Sequence, residues 1–339
     1  MAYQTGTASG PVDLWDKVVA FLTTNSTLVA AGEDWDVVWT APSGLAKDGI
    51  VLRGPGASGL DSIFVGLSRE DSDISDRNKF WLRGMTGVVT SAPTIDDHVN
   101  SSNRVGMFVD TNPMKYWIVA NGRRFVIVVN MSTVYQSMYA GFFLPFANPL
   151  SYNYPLFVGG SFPDWTLNGL SNAALSWRST VTVHSSFPFP AYNTESGSVF
   201  KSRSCSQYLD PNGAWINLDT NYSNATEASH IAPMEFAPLT ESGIASWAIV
   251  DYGGLGAEYL GYNNFLPRIE ENVGGGYSLS PATLIQTRPS LQTYGSLDGV
   301  FIPAWQNQAV ENIIQVGGVD HLVVQNAFRT NRYWGLRLN

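Results

Sequence analysis

The chain has 339 residues, enough for about two domains at roughly 150 residues each, and Lys+Arg 19 against Asp+Glu 28 leaves a net charge of −9. Charged residues make up 14% of it, against about 25% in an ordinary soluble domain, while aromatic residues reach 13% and apolar residues 44%, which excludes disorder. An acidic chain without a basic tract is excluded as a duplex binder, because Lys and Arg at phosphates supply that affinity; Arg123-Arg124 and the dispersed Arg329, Arg332 and Arg337 are too small a footprint.

One segment reads as a helix. Leu14, Trp15, Val18, Phe21 and Leu22 form an apolar stripe of helical period, with Pro11 at its start and Asp13 and Asp16 early, where the helix dipole favours anions. Thr23-Thr24-Asn25-Ser26 ends it, and a further turn from Leu28 to Ala31 is stopped by Gly32. From there the signals are β. Short strands are expected at Trp35–Thr40, with Val37 and Trp39 on one face, and at Ile50–Arg53, Ile63–Leu67, Phe80–Leu82 and Val105–Val109. Tyr116–Ala120, Asn121-Gly122 and Phe125–Val129 predict a hairpin with a type I′ turn, both turn residues at positive φ. Tyr139–Leu144 follows.

Pro145, Pro149, Pro155 and Pro163 then fall among rings and glycines, a composition of edge or linker chain, and the domain boundary is placed here. Residues 1–150 are expected to form a helix plus a β domain and residues 151–339 a second β domain. Its strands are expected at Thr180–His184, Ala214–Leu218, Ser246–Tyr252 and through Gly299–Leu338. The predicted fold is mainly β, with sandwich-like or barrel-like domains and one N-terminal amphipathic helix.

Chemistry-bearing motifs are few. Gly54-Pro55-Gly56-Ala57-Ser58-Gly59 matches the dinucleotide fingerprint in letters, yet Ile63-Phe64-Val65 after it is a strand where the fingerprint needs a helix, so a hairpin loop is expected. Glu70, Asp71, Asp73 and Asp76 lack the turn Gly and terminal Glu of a calcium loop, and Lys79 and Arg77 stand beside them to neutralise their charge. The four histidines, His98, His184, His230 and His321, are isolated, and the lone Cys205 forms neither an intrachain disulfide nor a zinc knuckle. No nucleophile elbow occurs. The expectation is therefore no cofactor, no metal and no catalytic residue. The N-terminus shows no signal peptide, and no apolar run approaches the roughly 20 residues that span a bilayer. Tyr152, Tyr154, Phe157 and Trp165, among prolines and glycines, are the candidate ring contacts for a protein partner or a glycan, or the cover of a seam between domains.

Several strings resemble a family of tailed-bacteriophage virion proteins. They are Met1 to Ser9, Asp13 to Lys17, Phe21 to Thr24, Leu28 to Gly32 before Trp35, Trp117 to Phe125, Ser132 to Tyr135, Gly141 to Pro145, Gly317 to Asn326 and Tyr333 to Leu338. Residues 165–290 match least. The resemblance implies a structural component of the tail or baseplate, located in the virion after synthesis in the bacterial cytoplasm, with other virion proteins and further copies of itself as partners. It implies no activity. On this reading Leu14, Trp15, Val18, Phe21 and Leu22 form an assembly face, on the chain's own β domain or on a neighbour. The alternative is a carbohydrate-binding adsorption protein at the tail tip, with Tyr152, Tyr154, Phe157 and Trp165 on host surface glycan.

Overall fold

A computed structural model of the chain describes residues 1–42, 48–71, 78–147, 151–163, 187–188, 206–218, 229–232, 279–286, 292–303, 309–325 and 333–339. The expected strands at Thr180–His184 and Ser246–Tyr252, together with Trp165, Cys205, His184, Asp73, Asp76, Arg77, Arg329 and Arg332, lie outside these residues.

Strand β1 (Ala2–Ala8) leads into α1 (Pro11–Thr24) and α2 (Ser26–Ala31). Then come β2 (Asp36–Thr40), β3 (Asp48–Gly54), β4 (Ile63–Glu70), β5 (Asn78–Met85), β6 (Val105–Val109), β7 (Met114–Ala120), β8 (Arg124–Met131) and β9 (Val134–Phe142). The chain continues through β10 (Leu144–Pro145), β11 (Leu156–Gly160), β12 (Phe162–Pro163), β13 (Ser206–Leu209), β14 (Trp215–Asn217) and β15 (Ser229–Ala232). It closes with β16 (Leu279–Gln286), β17 (Gln292–Pro303), β18 (Ile313–Val316), β19 (Val319–Gln325) and β20 (Tyr333–Arg337). The protein is mainly β, as its composition predicts, and among the described residues the helices lie in the N-terminal part.

The strands build three antiparallel sheets. The central sheet runs β1-β7-β8-β9-β11-β13-β14, the N-terminal sheet β12-β6-β5-β4-β3-β2, and the C-terminal sheet β15-β16-β17-β20-β19-β18 with β10 on β17. Both faces of the central sheet are covered. Tyr116, Ile118, Phe125, Ile127, Met138 and Ala140 join one core with Leu52, Val65, Leu67 and Phe80 of the N-terminal sheet. Their alternates Trp117, Val119, Val126, Val128 and Tyr139 join a second core with Leu297, Val300, Leu322, Val324 and Trp334 of the C-terminal sheet. A layer buried on both sides needs apolar residues at successive positions, which is why Tyr116 to Ala120 of β7 and Phe125 to Val129 of β8 read as continuous apolar runs rather than alternating ones.

The sheet also runs through the position at which the sequence places a boundary. Leu156 to Gly160 pair with Phe142 to Met138, and Phe157 to Gly159 pair on the other side with Tyr208 to Ser206. Pro155 precedes this strand and Pro163 ends the two-residue edge strand β12, so neither removes a donor from the interior of the ladder.

Local details follow the residues. Gly32 ends α2 at φ 64, the left-handed cap that glycine adopts without a Cβ clash. The Asn25 side chain caps the start of α2 by accepting from the amides of Thr27 and Leu28. The glycine-rich loop joins β3 to β4 in register, with Gly54 opposite Ile63, and is the hairpin expected of it. Two expectations need correction. A bulge between Val37 and Trp39 breaks the alternation of β2, leaving Val37 exposed while Trp39 is buried. The hairpin of β7 and β8 forms in the expected register, Ala120 opposite Phe125, but its turn is not type I′, since neither Asn121 nor Gly122 is at positive φ. Instead the Asn121 side-chain carbonyl accepts from the amides of Arg123 and Arg124, and the side chain itself holds the turn. The pair at positive φ sits in the β18–β19 hairpin, at Gly317 (59°) and Gly318 (80°) between Val316 and Val319.

Gly122 is needed for closeness rather than for handedness. Its carbonyl accepts the Gly56 amide at 2.6 Å, and a Cβ at 122 would stand 2.5 Å from the Gly56 carbonyl oxygen. Gly122→Ala is therefore expected to cost about 1–3 kcal/mol through forced backbone displacement. An unchanged urea-unfolding midpoint would show that the two loops do not dock.

Candidate functional site

The apolar stripe of α1 is spent inside the chain. Leu14, Val18 and Leu22 have no exposed surface, Phe21 is 2% exposed and Trp15 8%, and all belong to the core between the central and N-terminal sheets. Trp15 meets Phe80 edge-to-face at 5.7 Å. Of the two packing partners the sequence leaves open for this face, the structure supplies the chain's own β body, so the expected assembly face is corrected to an internal one.

Of the readings open for the candidate rings, the described ones take the seam. Phe157 is fully buried and Tyr152 nearly so, both in the core against the C-terminal sheet, where Tyr152 donates to the Leu209 carbonyl. Tyr154 is half-buried: its hydroxyl accepts the Phe64 amide and donates to the carbonyls of Ser62 or Met85. Burial pushes its phenol up to about 12. These rings cover a seam between sheets, and Tyr152 and Phe157 offer no face on which a sugar stacks.

The turn at Asn121–Arg124 gathers all three sheets. Trp35, at the end of the helical segment, donates its indole N–H to the Asn121 carbonyl at 2.9 Å. Gly56 comes from the N-terminal sheet, as above. Asp298 of β17 accepts from the Asn121 side-chain amide at 2.9 Å and lies 3.6 Å from the Arg124 Nε. Arg124 is completely buried, so the basic pair read in this turn offers one guanidinium to the interior and not to a surface. Its Nη2 reaches the Met1 sulfur at 3.3 Å, and its space exists because residue 299, at φ 72, is glycine. A buried guanidinium is costly unless paired, and Asp298 is the paired carboxylate here.

A second polar centre joins the central and C-terminal sheets at Glu311. Its carboxylate accepts from Lys115 at 2.6 Å, Asn130 at 2.9 Å and the Tyr135 hydroxyl at 2.9 Å. The ammonium of Lys115 also stands 4.8 Å from the Trp117 ring centroid. Burial pushes the Glu311 pKa up, but the hydrogen bonds from Lys115, Asn130 and Tyr135 outweigh it and hold the carboxyl below its ordinary value. Burial, then Glu311 itself, pushes the Tyr135 phenol up. A committed carboxylate and a phenol kept protonated make a latch rather than a proton shuttle. Glu311 sits at φ 67, a left-handed conformation that a residue of this size occupies at a cost.

The two described histidine side chains are enclosed. His98 Nδ1 accepts the Val89 amide at 3.1 Å, which places its proton on Nε2, buried without a partner, and Trp39 packs edge-on at 4.8 Å. His321 Nδ1 donates to the Val319 carbonyl at 3.0 Å. Burial lowers the pKa of both. Of the acidic run, Glu70 accepts the Trp81 indole N–H and lies 3.8 Å from buried Lys79, the neutralising partner expected for it, while Asp71 pairs with Arg69. Among the described residues, no group of three or more His, Cys, Asp or Glu side chains is placed to hold a metal ion.

Neither Asp298 nor Glu311 carries a local sequence signal. Asp298 meets Asn121 across 177 positions, and Glu311 meets Lys115 across 196, so only the folded chain brings them together.

Two pH windows follow. The neutral enclosed histidines bind fewer protons folded than unfolded, so stability is full above about pH 6.5 and falls as pH drops below it; His98→Asn is expected to shrink that step in a melting-temperature series. Glu311 contributes stability above its unfolded pKa that is lost as pH falls through its lower folded value, and Glu311→Gln is expected to remove this second step and about 1–2 kcal/mol at neutral pH. Identical melting curves for Glu311→Gln and wild type at pH 7 would rule out the latch. Comparison of the chain with protein-family models and with curated proteins finds no match to either.

Proposed function

We propose that the chain is a structural subunit of a tailed-phage virion, in the tail or baseplate, and that it acts by assembly with other virion proteins. One observation carries the reading. The strings that resemble virion proteins coincide with the frame of the fold: they contribute β1, much of α1, Trp35, the hairpin turn with Asn121 and Arg124, the β18–β19 turn and β20. Some of these residues, Trp35, Asn121 and Arg124 among them, also join sheets, as expected if what is shared is a scaffold with a variable decoration. The polar centres also act as joints: Glu311 and Arg124 spend their charge holding layers together.

Mass spectrometry of gradient-purified particles of the phage that encodes the chain is expected to find its peptides at constant copy number, and in the tail fraction after heads and tails are separated. Absence from the particles overturns the proposal. Binding of the purified full chain to host surface polysaccharide would favour the adsorption reading, which retains only Trp165 of its four rings.

A further inference from the structure

We propose that β1 is a self-association edge, on which a second copy of this chain adds its own β1 antiparallel to extend the central sheet. This inference is independent of the virion reading. Among the described residues β1 lies at the end of the central sheet and pairs only with β7, in unbroken register from Ala2–Ala120 to Ala8–Met114. The direction of its backbone groups follows from two hydrogen bonds. The Asn121 amide donates to the Arg124 carbonyl, so Asn121 and alternate residues before it on β7 face β8. Tyr116 therefore faces β1, and its carbonyl accepts the Thr5 hydroxyl as well as lying opposite Gly6. Gly6, Gln4 and Ala2 then turn their backbone groups to β7, while Tyr3, Thr5 and Thr7 turn theirs outward, away from the sheet.

An outward row of amides and carbonyls is a template for one more strand unless it is blocked. The other described edges are blocked or short. β2 carries a bulge and an Asp36–Arg53 ion pair, β12 ends in Pro163, and β14, β15 and β18 span three or four residues. β1 is longer, regular and free of charge, proline and bulge.

The identity of the partner follows from the strand's own symmetry. A two-fold axis through Thr5 sets Tyr3 of each copy opposite Thr7 of the other, Ala2 opposite Ala8, and Thr5 opposite Thr5. Tyr3, Thr5 and Thr7 are all exposed, and no charge meets a like charge, although each chain carries −9. A charged foreign peptide would gain no ion pair from this edge; an identical uncharged strand matches it at every position.

The test is sedimentation velocity on the full chain across a dilution series reaching about 100 μM, where a micromolar Kd gives full occupancy. Wild type is expected to pass from monomer to dimer. Thr5→Lys sets two cations face to face at the axis and is expected to weaken association by about tenfold or more. Thr5→Pro deletes an outward amide that β7 does not use, and is expected to stay folded by circular dichroism and remain monomeric. Mixing Thr5→Lys with Thr5→Asp is expected to restore a dimer, which separates a specific two-fold contact from general loss of fold. Wild type that stays monomeric, Thr5→Lys that dimerises as wild type does, or a mixture that fails to associate overturns the proposal.

Discussion

Three sheets meet at one four-residue turn, and the rest of the architecture depends on how that turn is held. Asn121 does most of the holding. Its side-chain carbonyl closes the turn, its side-chain amide reaches Asp298, and its backbone carbonyl receives the Trp35 indole N–H. Gly122 then lets the loop of the N-terminal sheet approach to 2.6 Å. Each bond is individually modest, on the order of 1 kcal/mol net. Their importance is geometric, because twisted sheets stacked by apolar contacts alone have no strong preference for register, whereas directional bonds to one turn permit a single arrangement.

The middle layer explains the unusual composition. A sheet covered on both faces consumes apolar side chains at twice the rate of a half-exposed one, and the rings are spent as spacers: Tyr139 meets Phe157 edge-to-face at 5.4 Å, and Phe187 meets Trp334 at 5.5 Å. Polar groups inside such a stack must be matched one by one. Asp298 lies against Arg124, and the Ser161 hydroxyl accepts the Ser137 amide and donates to the Ser137 carbonyl.

Much of this was legible before folding. Continuous apolar runs such as Trp117 to Ala120 and Val126 to Val129 predict strands, and the stripe from Leu14 to Leu22 predicts a helix, because periodicity is a local property. β1 went unread: Ala2-Tyr3-Gln4-Thr5-Gly6-Thr7-Ala8 has little hydrophobic alternation, and its place comes from β7 more than a hundred positions away. Val37 was misassigned because a bulge inverts alternation without any change in composition. Asn121-Gly122 suggested a turn type by residue preference, and the Asx hydrogen bonds overrode it. The prolines and glycines around Tyr152 to Phe157 leave partner contact, glycan contact and seam cover open in the sequence, and for Phe157 only its place on one strand between two others decides for burial. The joints at Asp298 and Glu311 were illegible in principle, since a pairing across some 180 positions leaves no mark on either neighbourhood.

The burial of Arg124 beside Asp298 has a consequence for biosynthesis. A ribosome delivers the guanidinium long before its carboxylate, since Asp298 follows Asn121 by 177 positions, and Leu322, Val324 and Trp334 of the core that takes Trp117, Val119, Val126 and Val128 emerge later still. The first half of the chain therefore emerges as an unfinished layer, sealed only when the last strands dock. Such long-range closure is slow, and the open face is adhesive while it waits. Timing during translation, more than the strength of any finished contact, becomes the point at which the nascent chain is exposed to loss.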